Sequence, residues 1–538
     1  MAYIVKPINS FAKGLNLRDN PQQVAQDEAI DLLNVVFTER GAVAQRYGYA
    51  QFTSSALTNQ VDSLGVFYTS TGTKQLIAGC GSRLEGINTS GAVVASATGL
   101  SGGPYTFARF AAPGSELLYA GNGTDTLRKW DGLAWTAPTA TVDGTAARAM
   151  PKAGAIAIQP NDNRLAASGF ATITGGPHGV ASNPSRVFFS NAGAPETWET
   201  DGVAPRGANY LDLTPGDGEQ IMGMVAWRNN LFVFKESKFF VFYGNSLATA
   251  GTPIFNYRAV DAGIGLCSRR ALVAGYDGVY FMDRTGVYRT TGNEPELVSS
   301  IIDPFFQGSP SVYYRSNVLN HASLTKAAAT FHENRLYIAV CTGSSVTNDS
   351  ILVYDPRFKW WSLWNITAAA LASFRASNQA ELMFGYPTGA KKVYRYSSTY
   401  TNDDSAAISS RWRMGWPDFG IPQAKTTREV KLWGIGTCSV GLTSDFTTTT
   451  GSTQAVLFSG SVDLWGDGII SDTWGDGTGT DLWGPGNQPT LKLARQAIRG
   501  TNFSVEFANS TLDISWAISR MAFHVREKRM PTILNTDR

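Results

Sequence analysis

A short apolar strand, a turn and a second apolar strand recur seven times along the middle of this chain, and that repeat constrains the fold more than any other feature. The first strands begin near Leu76, Leu117, Leu165, Leu231, Val279, Leu336 and Leu382, at spacings of 41, 48, 66, 48, 57 and 46 residues. The second strands lie around Leu84, Leu127, Val187, Phe239, Val287, Ile351 and Val393, after turn residues such as Gly121-Asn-Gly, Asp283-Arg-Thr-Gly and Thr347-Asn-Asp. Several units close on an aromatic: Trp135, Trp198, or the cluster Trp360, Trp361 and Trp364. A period near 45 residues is the size of one four-stranded blade, so an all-β fold with a β-propeller of about seven blades is expected over 61–403. A lone blade cannot bury both faces, and stacking blades radially solves that problem. A run of β-sandwiches is the alternative, and the two long spacings mark insertions.

Composition agrees and removes other classes. Of 538 residues, 55 are Gly, 43% are hydrophobic and only 16% are charged. Abundant aromatics and a net charge of +2 argue against disorder and against a strong field for nucleic acid or membrane. Cys80, Cys267, Cys341 and Cys438 lie far apart and read as buried small hydrophobes in a reduced compartment. The opening residues lack the basic-then-apolar pattern of a signal peptide, and no apolar run reaches membrane-spanning length. A soluble protein made in the cytoplasm is expected.

The two ends differ from the middle. Residues 1–60 are expected to form an N-terminal arm with a short helix over Pro21–Val36, capped by Asn20 and presenting Val24, Ile30 and Leu33. A short strand is expected between Gly41 and Gly48. From 404 to 538, period-two alternation in Arg428–Trp433, Asn502–Phe507, Leu512–Ile518 and Arg520–Val525 predicts a β-sandwich, interrupted by a Gly/Trp loop at 444–490.

That loop holds the most distinctive local motif, three copies at a nine-residue period: Asp463-Leu-Trp465-Gly-Asp-Gly, Asp472-Thr-Trp474-Gly-Asp-Gly and Asp481-Leu-Trp483-Gly-Pro-Gly. Nonapeptides with Asp and Gly suggest a calcium roll, but the roll places Asp two residues after Gly, and Asp472 follows Gly468 by four. A partner-contact loop is the favoured reading, because regularly spaced Trp makes good interface anchors. No catalytic, metal or cofactor site is expected. Asp131, Asp283 and Asp355 sit in turn contexts where Asp caps its own backbone, and the Asp boxes of sialidase propellers are missing. His178, His321, His332 and His524 form no ligand pair, and His332 is expected as a solvated turn residue. Basic residues at Arg520, His524, Arg526, Lys528 and Arg529 read as a solvated sheet face, with a phosphate-tracking surface as the alternative.

Three segments also carry a family resemblance. Phe11-Ala-Lys-Gly-Leu-Asn-Leu-Arg-Asp-Asn-Pro, Asp27–Phe37, and Arg40-Gly-Ala-Val-Ala-Gln-Arg-Tyr-Gly-Tyr together resemble the opening of tailed-phage structural proteins, with Lys13 where a second Gly is common. Arg411–Val430 is similar to the entry into the sandwich of related phage proteins. The family includes the propeller-containing nozzle proteins of short-tailed phages, also called tail tubular protein B. The resemblance implies a non-enzymatic virion protein, made in the host cytoplasm and resident in the tail. It implies a ring of copies, with six the expected number, that contacts a tail adaptor and fibre or spike proteins. Double-stranded DNA would pass without sequence recognition. A receptor- or glycan-binding propeller, with the Trp repeat as its platform, is the alternative, and a glycosidase propeller ranks third.

Overall fold

A computed structural model describes residues 4–112, 115–142, 145–168, 184–198, 210–244, 256–386, 389, 391–447, 453–458 and 490–527. Seven four-stranded antiparallel sheets follow one another along the middle of the chain. Their innermost strands are Val61–Tyr68, Thr106–Ala112, Ala155–Gln159, Gly223–Trp227, Leu272–Ala274, Ala328–His332 and Ala370–Phe374, which define blades 1 to 7. The protein is an all-β, seven-bladed propeller. All seven of the expected first strands fall within the second strand of a blade, from Lys74–Cys80 in blade 1 to Glu381–Gly385 in blade 7.

The burial pattern explains that legibility. The second and third strands of a blade are covered on both faces by neighbouring blades, so they read as unbroken apolar runs such as Leu231-Phe-Val-Phe and Leu336-Tyr-Ile-Ala-Val. Two inner strands alternate instead, Val61–Tyr68 and Ala328–His332, each buried at every other residue. The interfaces between blades form separate apolar clusters, for example Phe234 against Phe281 at 4.7 Å between blades 4 and 5. An extra three-stranded sheet takes Thr139–Val142 and Thr145–Ala149 from between Leu117 and Leu165, and Thr197–Trp198 from the longest spacing. The 57-residue spacing contains the helix Asp303–Gln307 and the 3-10 turn His321–Lys326.

The N-terminal segment corrects two expectations. It is not an arm, and its described part contains no helix. Asn20 does cap a turn, its Oδ1 accepting from Gln22 N–H at 3.0 Å, but the chain then extends into Glu28–Leu33 and Val35–Phe37. A short apolar run fits helix and buried strand equally well by periodicity, and here the run is covered on both sides. Glu28–Leu33 pairs with Ser410–Met414 and packs on the outer strand of blade 6, Trp360–Trp364. Phe37 meets Trp360 edge-on at 5.2 Å, and Trp364 Nε1 donates to the Val35 carbonyl at 3.2 Å.

Five N-terminal strands (Ile4–Ile8, Gly14–Leu15, Glu28–Leu33, Val35–Phe37, Val43–Gln45) and six C-terminal ones share a single hydrogen-bonded sheet. Its spine is the 20-residue strand Lys425–Ser444. The first half of the spine pairs with Thr490–Gly500 and Trp516–Glu527, the second with Thr453–Phe458 and Phe503–Asn509. Straight, such a strand would span roughly 65 Å. Yet Ser444 Oγ donates to the carbonyl of Arg499, which is in register with Thr426 near the other end. The spine therefore folds back, and it does so at Gly434–Gly436, where the ladder shifts register and Gly436 has φ +79°. A Cβ at Gly436 would lie 2.0 Å from the Ser515 carbonyl oxygen. Two layers result, a sandwich whose corner is made by a strand that changes layers, with Val430, Leu432, Val440, Leu442, Phe507 and Phe523 in its core. The expected loop at 444–490 also contains a strand, Thr453–Phe458, which narrows the insertion to 459–489.

The N-terminus closes the propeller. Tyr49–Gln51 is the outermost strand of blade 7, antiparallel to Val393–Tyr396. Just before it, Arg46 is fully buried and bidentate to Asp403 at 2.8 and 2.6 Å, and its Nε donates to Asn34 Oδ1 at 2.9 Å. A second buried ion cluster joins three segments. Asp31 is wholly enclosed and accepts from Arg315, in the insertion before blade 6, and from Arg411, both at 2.7 Å.

Candidate functional site in the propeller channel

Closing seven blades leaves a central channel along the inner strands. A cavity of about 440 Å3 occupies it, touched by every blade in turn: Leu64, Phe107, Ile156, Met224, Leu272, Ala329 and Leu371. A second cavity, about 450 Å3, opens at the end where the inner strands begin, between Asp62, Arg270, Lys326 and Asn348. Both volumes suit a small ligand.

The charged side chains that line the main channel cavity are cationic. Arg270 lies at the entry to blade 5 and its guanidinium reaches carbonyls of three other blades. It donates to Asp62 in blade 1, to Ala369 just before blade 7 at 2.7 Å and to Lys326 just before blade 6 at 3.0 Å. It thereby laces the channel mouth. Burial pushes the Asp62 carboxyl up to about 6, against the opposing pull of its hydrogen bond from Ser63 and of the Arg270 charge. At the other end, where the inner strands finish, Arg109 sits over the Tyr68 ring at 6.0 Å. Arg269, beside Arg270 at the entry to blade 5, has its guanidinium against bare backbone of blade 3: a Cβ at Gly154 would be 1.9 Å from its Nη1. Burial alone lowers the Arg269 pKa. No carboxylate lines the main channel cavity among the described residues. Such an arrangement can hold and orient an anionic group.

The expected partner-contact residues Asp463, Trp465, Asp472, Trp474, Asp481 and Trp483 lie outside the described residues, so the structure does not bring them to any site. Asp131 and Asp283 do cap their own turns, accepting from the Leu133 and Thr285 amides respectively. Asp355 accepts from the Arg357 amide, but it is also wholly buried and paired with Arg335 and Arg357. His332 corrects the reading of a solvated turn. The turn is there, at Glu333 and Asn334 with φ +45° and +61°, but the imidazole points inward, 3.0 Å from Ser373 Oγ. Burial and the Arg335 charge push it down to about 4. On the C-terminal strand, Arg520 lies over Trp433 at 4.8 Å and His524 is 3.0 Å from Glu429, so that face is paired as well as solvated. Lys528 and Arg529 fall outside the described residues. The four cysteines are free thiols, and burial pushes those of Cys267 and Cys438 up to about 12. Among the described residues no group of three His, Cys, Asp or Glu side chains is placed to hold a metal ion, and no helix is long and apolar enough to cross a membrane.

Arg269 and Arg270 are the residues that reading the sequence missed. Their one signal is an Arg pair immediately before an inner-strand position, and it gains meaning only once the ring has closed.

No family model matches the chain, and no curated protein matches it significantly. Solved structures do resemble it in shape. The structure described as BBS1N in complex with ARL6DN aligns with 66% of this chain and 99% of its own, at 9% identity and a TM-score of 0.38. Raptor of Chaetomium thermophilum aligns with 66% of this chain and 29% of its own, at 12% identity and a TM-score of 0.40.

Proposed function

We propose that this chain is a structural subunit of a tailed virion, assembling with copies of itself into a ring at the tail tip and performing no turnover. The observation that carries this reading is where the family-like residues of the opening sit. Gly14, at φ +73°, faces the Trp361 carbonyl so closely that a Cβ would lie 2.6 Å from it. Arg46 is the buried partner of Asp403, Gly48 touches the Asn402 backbone, and Tyr49 begins the strand that closes the ring. The resemblance to nozzle proteins thus falls on positions that lock the first fifty residues to propeller and sandwich. A chain with the same opening would need the same lock.

The sheet also supports an assembly role. Thr453–Phe458 and Thr490–Gly500 pair with the spine alone and form its outer edge, and the 459–489 insertion leaves between them. Three Trp repeats attached at a sheet edge are suited to meeting a second molecule. The propeller channel is of small-molecule size, so a DNA path would run between copies and not through a propeller. A net charge of +2 suits a conduit that must release phosphate.

Sedimentation velocity tests this. The full chain is expected to sediment as a closed oligomer. A variant with 459–489 replaced by a short Gly-Ser linker should keep its melting temperature and shift toward monomer. A full chain that stays monomeric at the highest concentration reached would overturn the proposal.

A further inference from the structure

We propose that the propeller channel is a binding site for a small oxyanion, a phosphate or carboxylate group, with Arg269 as its central contact.

The argument starts from charge. Arg109, Arg269 and Arg270 line one cavity whose described lining contains no carboxylate. Asp62 answers Arg270 at one mouth, and Glu116, half-buried, feels the charge of Arg109 near the other. Arg269 has neither: among the described residues no hydrogen-bond acceptor or ion-pair partner meets its guanidinium. Its neighbour Arg270 shows what a structural arginine looks like in this place, with carbonyl partners from three blades. Arg269 is half-buried and faces the cavity, so its donors are open to a ligand that enters the channel.

Geometry adds a second reason. Glycine at 154 leaves room for the guanidinium against the backbone, and any side chain there would displace it. The planar guanidinium fork matches a carboxylate or phosphate in bidentate fashion, and a partly enclosed cavity strengthens that contact relative to bulk water. Phe107, Leu272 and Leu371 supply an apolar wall for an organic body attached to the anion.

The test uses the full chain and follows its melting temperature against inorganic phosphate and, separately, succinate, with ionic strength held constant by sodium chloride. A saturable rise with at least one of the two is expected, and which one responds identifies the oxyanion class. Arg269→Gln should abolish the rise or move its midpoint at least tenfold, while melting no lower than the parent in anion-free buffer, because an uncompensated cation has been removed. Gly154→Ala, which leaves the arginine but fills its cradle, should weaken the response in the same direction. No saturable response to either anion by the parent chain would overturn the proposal. So would an Arg269→Gln or Gly154→Ala chain that responds as the parent does.

Discussion

Replacing Arg46 by Met tests how the propeller is held shut. Met keeps much of the aliphatic stem and removes the guanidinium, stranding the Asp403 carboxylate, which is 13% exposed. It also removes the bonds to Asn34 Oδ1 and to the Tyr47 carbonyl, both 2.9 Å. Breaking a buried ion pair from one side costs about 3–5 kcal/mol. With an unfolding entropy of ~2.1 cal/mol/K per residue over a cooperative unit of roughly 400 residues, the main calorimetric transition should fall by about 4–6 °C. Asp403→Asn keeps the acceptor oxygen and should cost less. Hydrogen exchange localises the effect: the amides of Tyr49–Gln51, paired with Tyr394–Tyr396, should lose protection before those of the inner strands. An Arg46→Met chain with unchanged melting and unchanged exchange at 49–51 would refute the view that this ion pair latches the ring.

Three further perturbations bear on the same architecture. Gly48→Ala places a Cβ 1.9 Å from the Asn402 carbonyl oxygen, and the backbone shift it forces should cost about 1–3 kcal/mol, read as a lowered melting temperature. Asp31→Asn leaves the guanidinium groups of Arg315 and Arg411 around a neutral amide; a loss of about 3–5 kcal/mol is expected, and much of it should vanish in an Arg315→Met background if the coupling is direct. His332 binds a proton near pH 6.5 when unfolded but only near 4 when folded, so its contribution is full above pH 6.5 and erodes as pH falls toward 4. The total is about 3 kcal/mol, and His332→Gln should flatten the melting-versus-pH curve across that window.

What the sequence revealed follows from what local pattern encodes. Middle blade strands are doubly buried, so Leu231-Phe-Val-Phe and Val279-Tyr-Phe-Met-Asp announce themselves, and seven such runs at a blade-like period define the propeller. Glu28–Leu33 was ambiguous because its pairing partner, Ser410–Met414, lies almost 400 residues away and nothing local prefers strand over helix. The fold-back of the spine was hidden for a related reason: Gly434 and Gly436 look like two more turn glycines until Arg499 and Ser444 are seen to meet. His332 reads as a turn residue because it adjoins one, while its burial is decided by Ser373 on the next blade. The cationic channel depends on ring closure, which brings together Arg109, Arg269 and Arg270 from two blades, and no spacing rule records that.

Immunogold electron microscopy of tailed particles, with antibody raised against this chain, tests the central proposal most directly. Gold confined to the tail tip, at a constant number of copies per particle, is the predicted result. Particles that carry no gold while the protein remains in the soluble fraction of the same lysate would contradict it.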